Sequence, residues 1–443
     1  MRTKFVLSAI IIASIVVASI AVLLLFMRST NPTIDLWGGG GPTLHDDTLA
    51  IELVAEELNS PTSMRFLDDS TLLVLEKNEG RVRVVSDGDL LEEPAIEVEV
   101  VTGPEQGLLG IATTSNGGDK DDDNTATTTS SSVFLYLTER NYQENSRNFV
   151  YKYLYDEDEK RLENGTVILE LPGEPGPFHN GGKITIGPND GYMYAVIGDV
   201  SAGGGMLDNQ ISGKPPDDKS VILRVDRDTG DTVQDNPFYN NNNYTGDMEK
   251  LQRYYAYGIR NSFGMDFDPV TGKLWITENG DDVYDEINIV EPGFNSGWHK
   301  IMGPIGRTNV TVENDLVIFD SAAKYQDPVF SWYAPVGVTD IEFFNSTKLG
   351  DKYGDNIFVG DINYGNLYFL EVNEDRTGLT FQDQRLFDRV ADPVIEDEES
   401  ELSSLILGQG FGRITDIETG PDGLLYILTY EDGKIYRITK DEG

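Results

Sequence analysis

One of only three histidines in the chain sits in the turn Pro177-Phe178-His179-Asn180-Gly181-Gly182-Lys183. Imidazole titrates close to neutral pH, so His179 is placed to act as a general base. The glycines beside it let backbone and ligand approach closely. A second constellation begins Tyr257-Gly258-Ile259-Arg260-Asn261-Ser262-Phe263-Gly264 and continues Glu278-Asn279-Gly280-Asp281-Asp282-Val283-Tyr284-Asp285-Glu286-Ile287-Asn288. It sets Arg260 in a glycine-bounded turn, followed by the carboxylates Asp281, Asp282, Asp285 and Glu286. Carboxylates and turn carbonyls are the hard oxygen ligands that calcium takes, although the spacing is not that of an EF-hand. Each feature also has a structural alternative: a turn histidine, an arginine stapling two elements, a solvated acidic turn.

Other chemistries are excluded. The chain has no cysteine, so disulfides, thiolate metal sites and cysteine nucleophiles are ruled out. It lacks a G-x-G-x-x-G between strand and helix, a G-x-S-x-G elbow and an H-E-x-x-H pair. Its 76 acidic and 34 basic residues give a net charge of −42, which argues against nucleic acid as a partner. The acidity suits a solvated surface, with local clusters able to hold cations.

The elements that must position these residues are short strands. Six times an apolar β-rich run follows a turn and is itself followed by a second run. The first runs end near Glu76, Leu137, Ile197, Glu278, Asp361 and Thr429; the second start near Gly80, Asn148, Val221, Glu286, Asn366 and Lys434. No long amphipathic helix interrupts them. Such repetition points to an all-β fold, a six-bladed β-propeller over residues 51–440, with a two-layer sandwich as the structural rival. The polar segments 113–132, 236–247 and 392–404 read as loop insertions.

Ahead of this domain, Phe5 to Met27 is a run of 23 apolar or small residues behind Arg2 and Lys4. As a helix it spans roughly 34 Å, enough for a bilayer. Residues 1–28 are expected to be one transmembrane signal anchor with the large domain extracytoplasmic, a cleaved signal being the alternative. Residues 29–50 are expected to be a flexible tether. The sequons at Asn164, Asn243, Asn309 and Asn345 fit exposure outside the cell.

The His179 turn, the Arg260-to-Trp298 stretch, Gln106-Gly107-Leu108-Leu109-Gly110-Ile111-Ala112 and the last repeat together resemble the soluble quinoprotein glucose dehydrogenase and aldose sugar dehydrogenase family. The likeness implies oxidation of the C1 hydroxyl of an aldose or related polyol, with pyrroloquinoline quinone (PQQ) and calcium. His179 would be the base, Arg260 would stabilise charge on the reduced cofactor, and Gln106 would contact cofactor or sugar. Carbonyls at Gly280 and Asp281 would hold calcium, supported by Asp285 and Glu286. The electron acceptor is not implied.

Two positions depart from the family pattern. Asn363 stands where a lysine is expected, and Thr415 replaces one of two arginines, Arg413 being the other. Each lost charged hydrogen bond to the cofactor's carboxylates costs about 1.5–3 kcal/mol. Losing both amounts to a factor on the order of 10²–10⁴ in affinity. Lys183 is a further cation near the turn. A catalytically silent binding module of the same fold therefore stands as the alternative. A calcium-dependent lactonase would want acidic ligands from several repeats, and only one acidic cluster is evident.

Overall fold

A computed structural model describes residues 41–114, 131–240, 245–393 and 400–441. The chain divides into two units, Met1–Gly41 and Pro42–Gly443. The expected membrane helix over residues 1–28 lies outside the described residues. Among the described residues no helix is long and apolar enough to cross a membrane.

The second unit is an all-β propeller. Its strands form six sheets of four to six strands, paired mostly antiparallel between neighbours in the chain. The paired runs expected from the sequence form the second and third strands of each sheet; Met193–Ile197 with Val221–Val225 and Leu274–Glu278 with Asp285–Val290 are examples. Each sheet also has a first, innermost strand: Pro61–Phe66, Leu108–Thr114, Ile184–Ile186, Met265–Phe267, Val338–Phe343 and Ile414–Thr419. These lie side by side in chain order, and the last packs against the first. Leu49–Ala55 pairs with Lys434–Lys440, so the two ends of the unit complete one sheet and close the ring.

Residues near the start of this unit differ from the flexible tether expected up to residue 50. Thr43–Leu44 pairs with Ile406–Gln409, and the Asp46 carboxylate accepts from Thr48, Lys352 and Tyr353. An open sheet edge beside these short residues gives their backbone a partner. The expected insertion at 236–247 likewise starts in the core. Asn236 is buried, bonding the Arg224 carbonyl, and the Phe238 ring is fully enclosed.

Apolar faces between neighbouring sheets build the core, with Trp275 and Trp332 wholly buried among Ile, Val and Phe side chains. The axis is charged instead. Lys183 Nζ lies 2.7 Å from Asp340 Oδ1 and 2.6 Å from Asp416 Oδ1. Ser63 Oγ donates to Asp416 Oδ2 at 3.0 Å. Two residues further along these strands, Arg65 pairs with Glu418 beside Glu342 and Asp266. Backbone donors complete this tier, Thr419 N reaching Glu342 and Phe343 N reaching Asp266, both at 2.8 Å. Burial pushes the Glu418 carboxyl up to about 7, against the pull of Arg65. These bonds cross from sheet to sheet and hold the inner strands in register.

Candidate active site

The second strands of the sheets end at one mouth of the axial channel, and there the candidate residues gather. His179 has a φ of 61°, a left-handed conformation uncommon outside glycine. Three bonds hold it there. Its N–H donates to Glu105 Oε2 at 2.6 Å, its carbonyl accepts from Val200 N at 3.2 Å, and its Nδ1 lies 2.6 Å from Asp199 Oδ1. A carboxylate only accepts, so Nδ1 carries the hydrogen and Nε2 is left as the basic nitrogen. No protein partner for Nε2 occurs among the described residues.

Asp199 is itself fixed. Ser201 N donates to Oδ1 at 2.8 Å and Trp298 Nε1 to Oδ2 at 3.1 Å. Burial raises its proton affinity, but the bond and charge of His179 outweigh this, leaving the carboxyl below the usual range. Asp199 N also bonds the Arg260 carbonyl at 3.0 Å, tying the two constellations together. Gly198 makes the approach possible: a Cβ there would lie 2.4 Å from Arg260 O and 2.7 Å from His179 O.

Arg260 lies over the Trp298 ring, Cζ 5.3 Å from its centroid. Nη1 donates to the Asn279 carbonyl at 3.2 Å and Nη2 to Asp281 Oδ1 at 3.0 Å, while the buried Nε has no partner. Glu278 supports the turn from below, accepting from Arg260 N at 2.7 Å and from Ser296 Oγ at 2.5 Å. Burial pushes Glu278 up to about 7. Burial, with the neighbouring Glu278 charge, pushes Glu286 up to about 8.

A cavity of about 180 Å³ opens next to the His179 turn, lined by Thr62, Lys77, Glu105, Gly181, Arg413 and Thr415 among others. His179, Asp199 and Arg260 are outside its lining, and Glu105, which accepts from His179 N, connects them to it. A larger cavity of about 560 Å³ lies around Arg65, Asp266, Glu342 and Glu418, and none of the expected site residues lines it.

The expected residues are distributed unevenly. Arg413 and Thr415 line the smaller cavity, but the Thr415 hydroxyl is committed to Pro61 O at 3.0 Å. Arg413 is only loosely held, 3.7 Å from Glu431. Asn363 is exposed with its amide against Gly337, and its neighbour Ile362 lines the cavity in its place. Gln106 is buried facing the other way, Nε2 donating to Ser146 Oγ at 3.1 Å, because strand Leu108–Thr114 begins just beyond it. Glu105 takes its place on the cavity. Lys183, read as a cation for the site, is neutralised by Asp340 and Asp416.

In the acidic loop, Gly280 N donates to Asp285 Oδ1 at 2.9 Å, and Val336, Gly337 and Val338 N–H groups converge on Oδ2 at 2.7–3.2 Å. With these four donors Asp285 fastens the 336–338 loop to Gly280, the supporting place expected of it. Glu286 is buried, bonded to Gly303 N and Asn288 Nδ2. Asp281 is exposed, its carboxylate bonded to Arg260 Nη2. Among the described residues no three His, Asp or Glu side chains are grouped to hold a metal.

Glu105 and Lys77 were not singled out from the sequence, and Asp199 stood out only as the Gly198-Asp199 turn after the His179 hairpin, with no role given to it. Lys77 Nζ donates to Gly103 O at 2.6 Å and Asn78 Oδ1 at 3.0 Å and forms no ion pair among the described residues. Lys77, Asp199 and Tyr430 each follow directly on, or within two residues of, the end of a second strand. That shared place in the repeat is the signal that could have found Lys77 and given Asp199 its role; Glu105, ahead of the innermost strand Leu108–Thr114, has no such signal.

Residues 58–437 match the family described as Glucose / Sorbosone dehydrogenase. The chain is 26% identical to the aldose sugar dehydrogenase YliI of Escherichia coli, over 88% of this chain and 93% of that protein. A solved structure of a putative oxidoreductase (glucose dehydrogenase) from Thermus thermophilus matches at 26% identity and TM-score 0.63, covering 88% of this chain and 99% of that one. The PQQ-bound aldose sugar dehydrogenase of Streptomyces coelicolor shares the fold, with TM-score 0.61 and 22% identity, over 89% and 98% of the two chains.

Proposed function

Because this chain belongs to the glucose/sorbosone dehydrogenase family, we propose that it oxidises the C1 hydroxyl of an aldose, or a related polyol, to the lactone with PQQ and calcium. The observation that carries this reading is the His179–Asp199 pair, 2.6 Å apart, linked to Arg260 and, through the bond from His179 N to Glu105, to the wall of the cavity. His179 Nε2 takes the hydroxyl proton. Asp199 stays ionised, keeps the imidazole in the tautomer that leaves Nε2 free, and stabilises the imidazolium as it forms.

The groups around the cavity suit a tricarboxylate quinone. Lys77 and Arg413 line it as positive donors and Thr339 adds a buried hydroxyl without a partner, while outside the lining the buried Nε of Arg260 is also unpartnered. These offset the missing lysine and arginine at Asn363 and Thr415. PQQ, when bound, supplies the acceptor for the C1 hydride. Carbonyls of Gly280 and Asp281 would hold calcium, with Glu286 behind the loop. Arg260 is placed to stabilise negative charge that develops at the cofactor.

We further read each of the six sheets as one blade. The apolar run 5–27 supports membrane anchoring of an extracytoplasmic domain, and the sequon residues Asn164, Asn309 and Asn345 are exposed. Full-length protein given PQQ and calcium should show sugar-dependent loss of the oxidised cofactor's absorbance, and His179→Gln should abolish it while binding persists. A His179→Gln protein that turns over normally would remove the base assignment.

A further inference from the structure

We propose that the mouth of this site is a docking surface for a basic redox protein, which takes the electrons from the reduced cofactor. This inference rests on the dehydrogenase reading above. Oxidation of each sugar leaves two electrons and two protons on the cofactor. Restoring it needs an acceptor from outside, and a one-electron haem acceptor would be used twice per sugar, the protons passing to solvent.

Three observations point to the class of acceptor. First, large hydrophobic side chains stand exposed beside the site. Phe178, adjacent to His179, is 46% exposed, with its ring 6.5 Å from the imidazole. Tyr364, two residues from the cavity-lining Ile362, is 56% exposed. Their loops are held rather than loose: Ser201 Oγ donates to the Phe178 carbonyl, and Tyr364 N to Asp361 Oδ1 at 2.6 Å. Exposed aromatics on fixed backbone are the usual anchors of protein contacts. Second, exposed acids frame them. Asp432 lies two residues after the cavity-lining Tyr430, and Asp282 follows the Arg260 contact Asp281. Both are exposed and in no ion pair among the described residues, whereas Asp281 and Glu431 are paired with Arg260 and Arg413. Third, the whole chain carries −42, a field that draws cations towards any opening and repels anions. An aromatic centre with an acidic frame in a negative field complements a basic protein with an apolar contact patch.

The test uses cytochrome c, a small basic haem protein, and an acidic flavodoxin-sized redox protein as its opposite. Binding of cytochrome c to the full chain is measured by calorimetry, without added cofactor, at about 10 mM and about 300 mM ionic strength, where the Debye length falls from about 30 Å to under 10 Å. The same series is run on reoxidation of sugar-reduced enzyme. Asp432→Lys reverses one unpaired rim charge, a change of two units. Glu157→Gln/Asp158→Asn removes two charges from the far end of strand Ser146–Asp156, about 30 Å from the Ser146 end at the mouth.

We expect affinity and reoxidation rate to fall at least about tenfold with salt, and the acidic acceptor to show the reverse trend. The rim variant should lose about threefold or more at low salt, and the far variant much less. A flat salt response, or equal losses in the two variants, overturns the docking surface. Cofactor bleaching by sugar alone separates the two ideas. If bleaching occurs and the salt effects do not, only the docking proposal falls. If bleaching fails, the dehydrogenase reading falls and takes this one with it.

Discussion

Replacing Asp199 by asparagine probes the site at its most constrained point. The carboxylate is 5% exposed and accepts from His179 Nδ1, Ser201 N and Trp298 Nε1. Asparagine preserves the shape and one acceptor oxygen but loses the charge. Loss of one charge-assisted hydrogen bond at 2.6 Å removes about 1.5–3 kcal/mol of imidazolium stabilisation, on the order of 10–150-fold in turnover. A larger loss follows if the amide nitrogen faces the ring. It would then donate to Nδ1, place the hydrogen on Nε2 and leave no base, with a penalty approaching about 10⁴. The assay is single-turnover reduction of bound PQQ by sugar, with cofactor affinity measured separately. Affinity should change little, because Asp199 touches the base and not the cavity-lining cations. A second readout is pH. The Asp199 proton affinity is depressed in the fold, so its contribution to stability is present above its unfolded value, about 3.9, and fades as pH falls through the folded value. Asp199→Asn should flatten that acid limb. Turnover within twofold of wild type would refute the reasoning.

Other perturbations address separate parts of the account. Lys77→Met should weaken PQQ binding by about 10–150-fold, the worth of one charged hydrogen bond, with folding intact; titration of bound-cofactor absorbance checks this. Gly198→Ala should cost about 1–3 kcal/mol in denaturant unfolding and lower turnover, since its Cβ meets the carbonyls of both Arg260 and His179. Gln106→Ala should reduce stability by about 1–3 kcal/mol through its bond to Ser146 and leave substrate KM unchanged, as steady-state kinetics would show. Glu418 has its proton affinity raised to about 7 by burial, so its contribution to stability is full below its unfolded value and is lost as pH rises towards about 7. Melting curves between about pH 4.5 and 7 should therefore slope downward from this group, and Glu418→Gln should remove one proton's share of that slope.

The outer parts of each sheet were legible because they obey simple rules. Met193–Ile197 and Leu274–Glu278 are buried, apolar and bounded by turns. Four of the innermost strands escaped notice because their alternating positions carry Arg65, Asp266, Asp340, Glu342, Asp416 and Glu418, and Lys183 stands just ahead of a fifth. Such residues read as loop until the ring brings them together as ion pairs. The site shows the same division. His179 and Arg260 announce themselves by type and by flanking glycine. Gln106 was named only through the family resemblance of its motif, and Glu105 beside it carried no signal of its own. Residues that neighbour each other near a strand end face opposite ways, and sequence alone does not say which faces the cavity. Asp285 was expected to support the loop of Gly280 and Asp281, and its bonds to Gly280 N and to three N–H groups of the Val336–Val338 loop show how it can, a pattern that only the folded chain reveals.

The most direct test of the central claim is titration of full-length protein with PQQ in excess calcium, followed by aldose, read as the absorbance of bound cofactor. The account predicts saturable binding at micromolar PQQ and loss of the oxidised band on adding sugar, absent in His179→Gln. Failure of PQQ to bind would contradict it. The propeller would then act as a binding module, with Asn363 and Thr415 marking the loss of its cofactor.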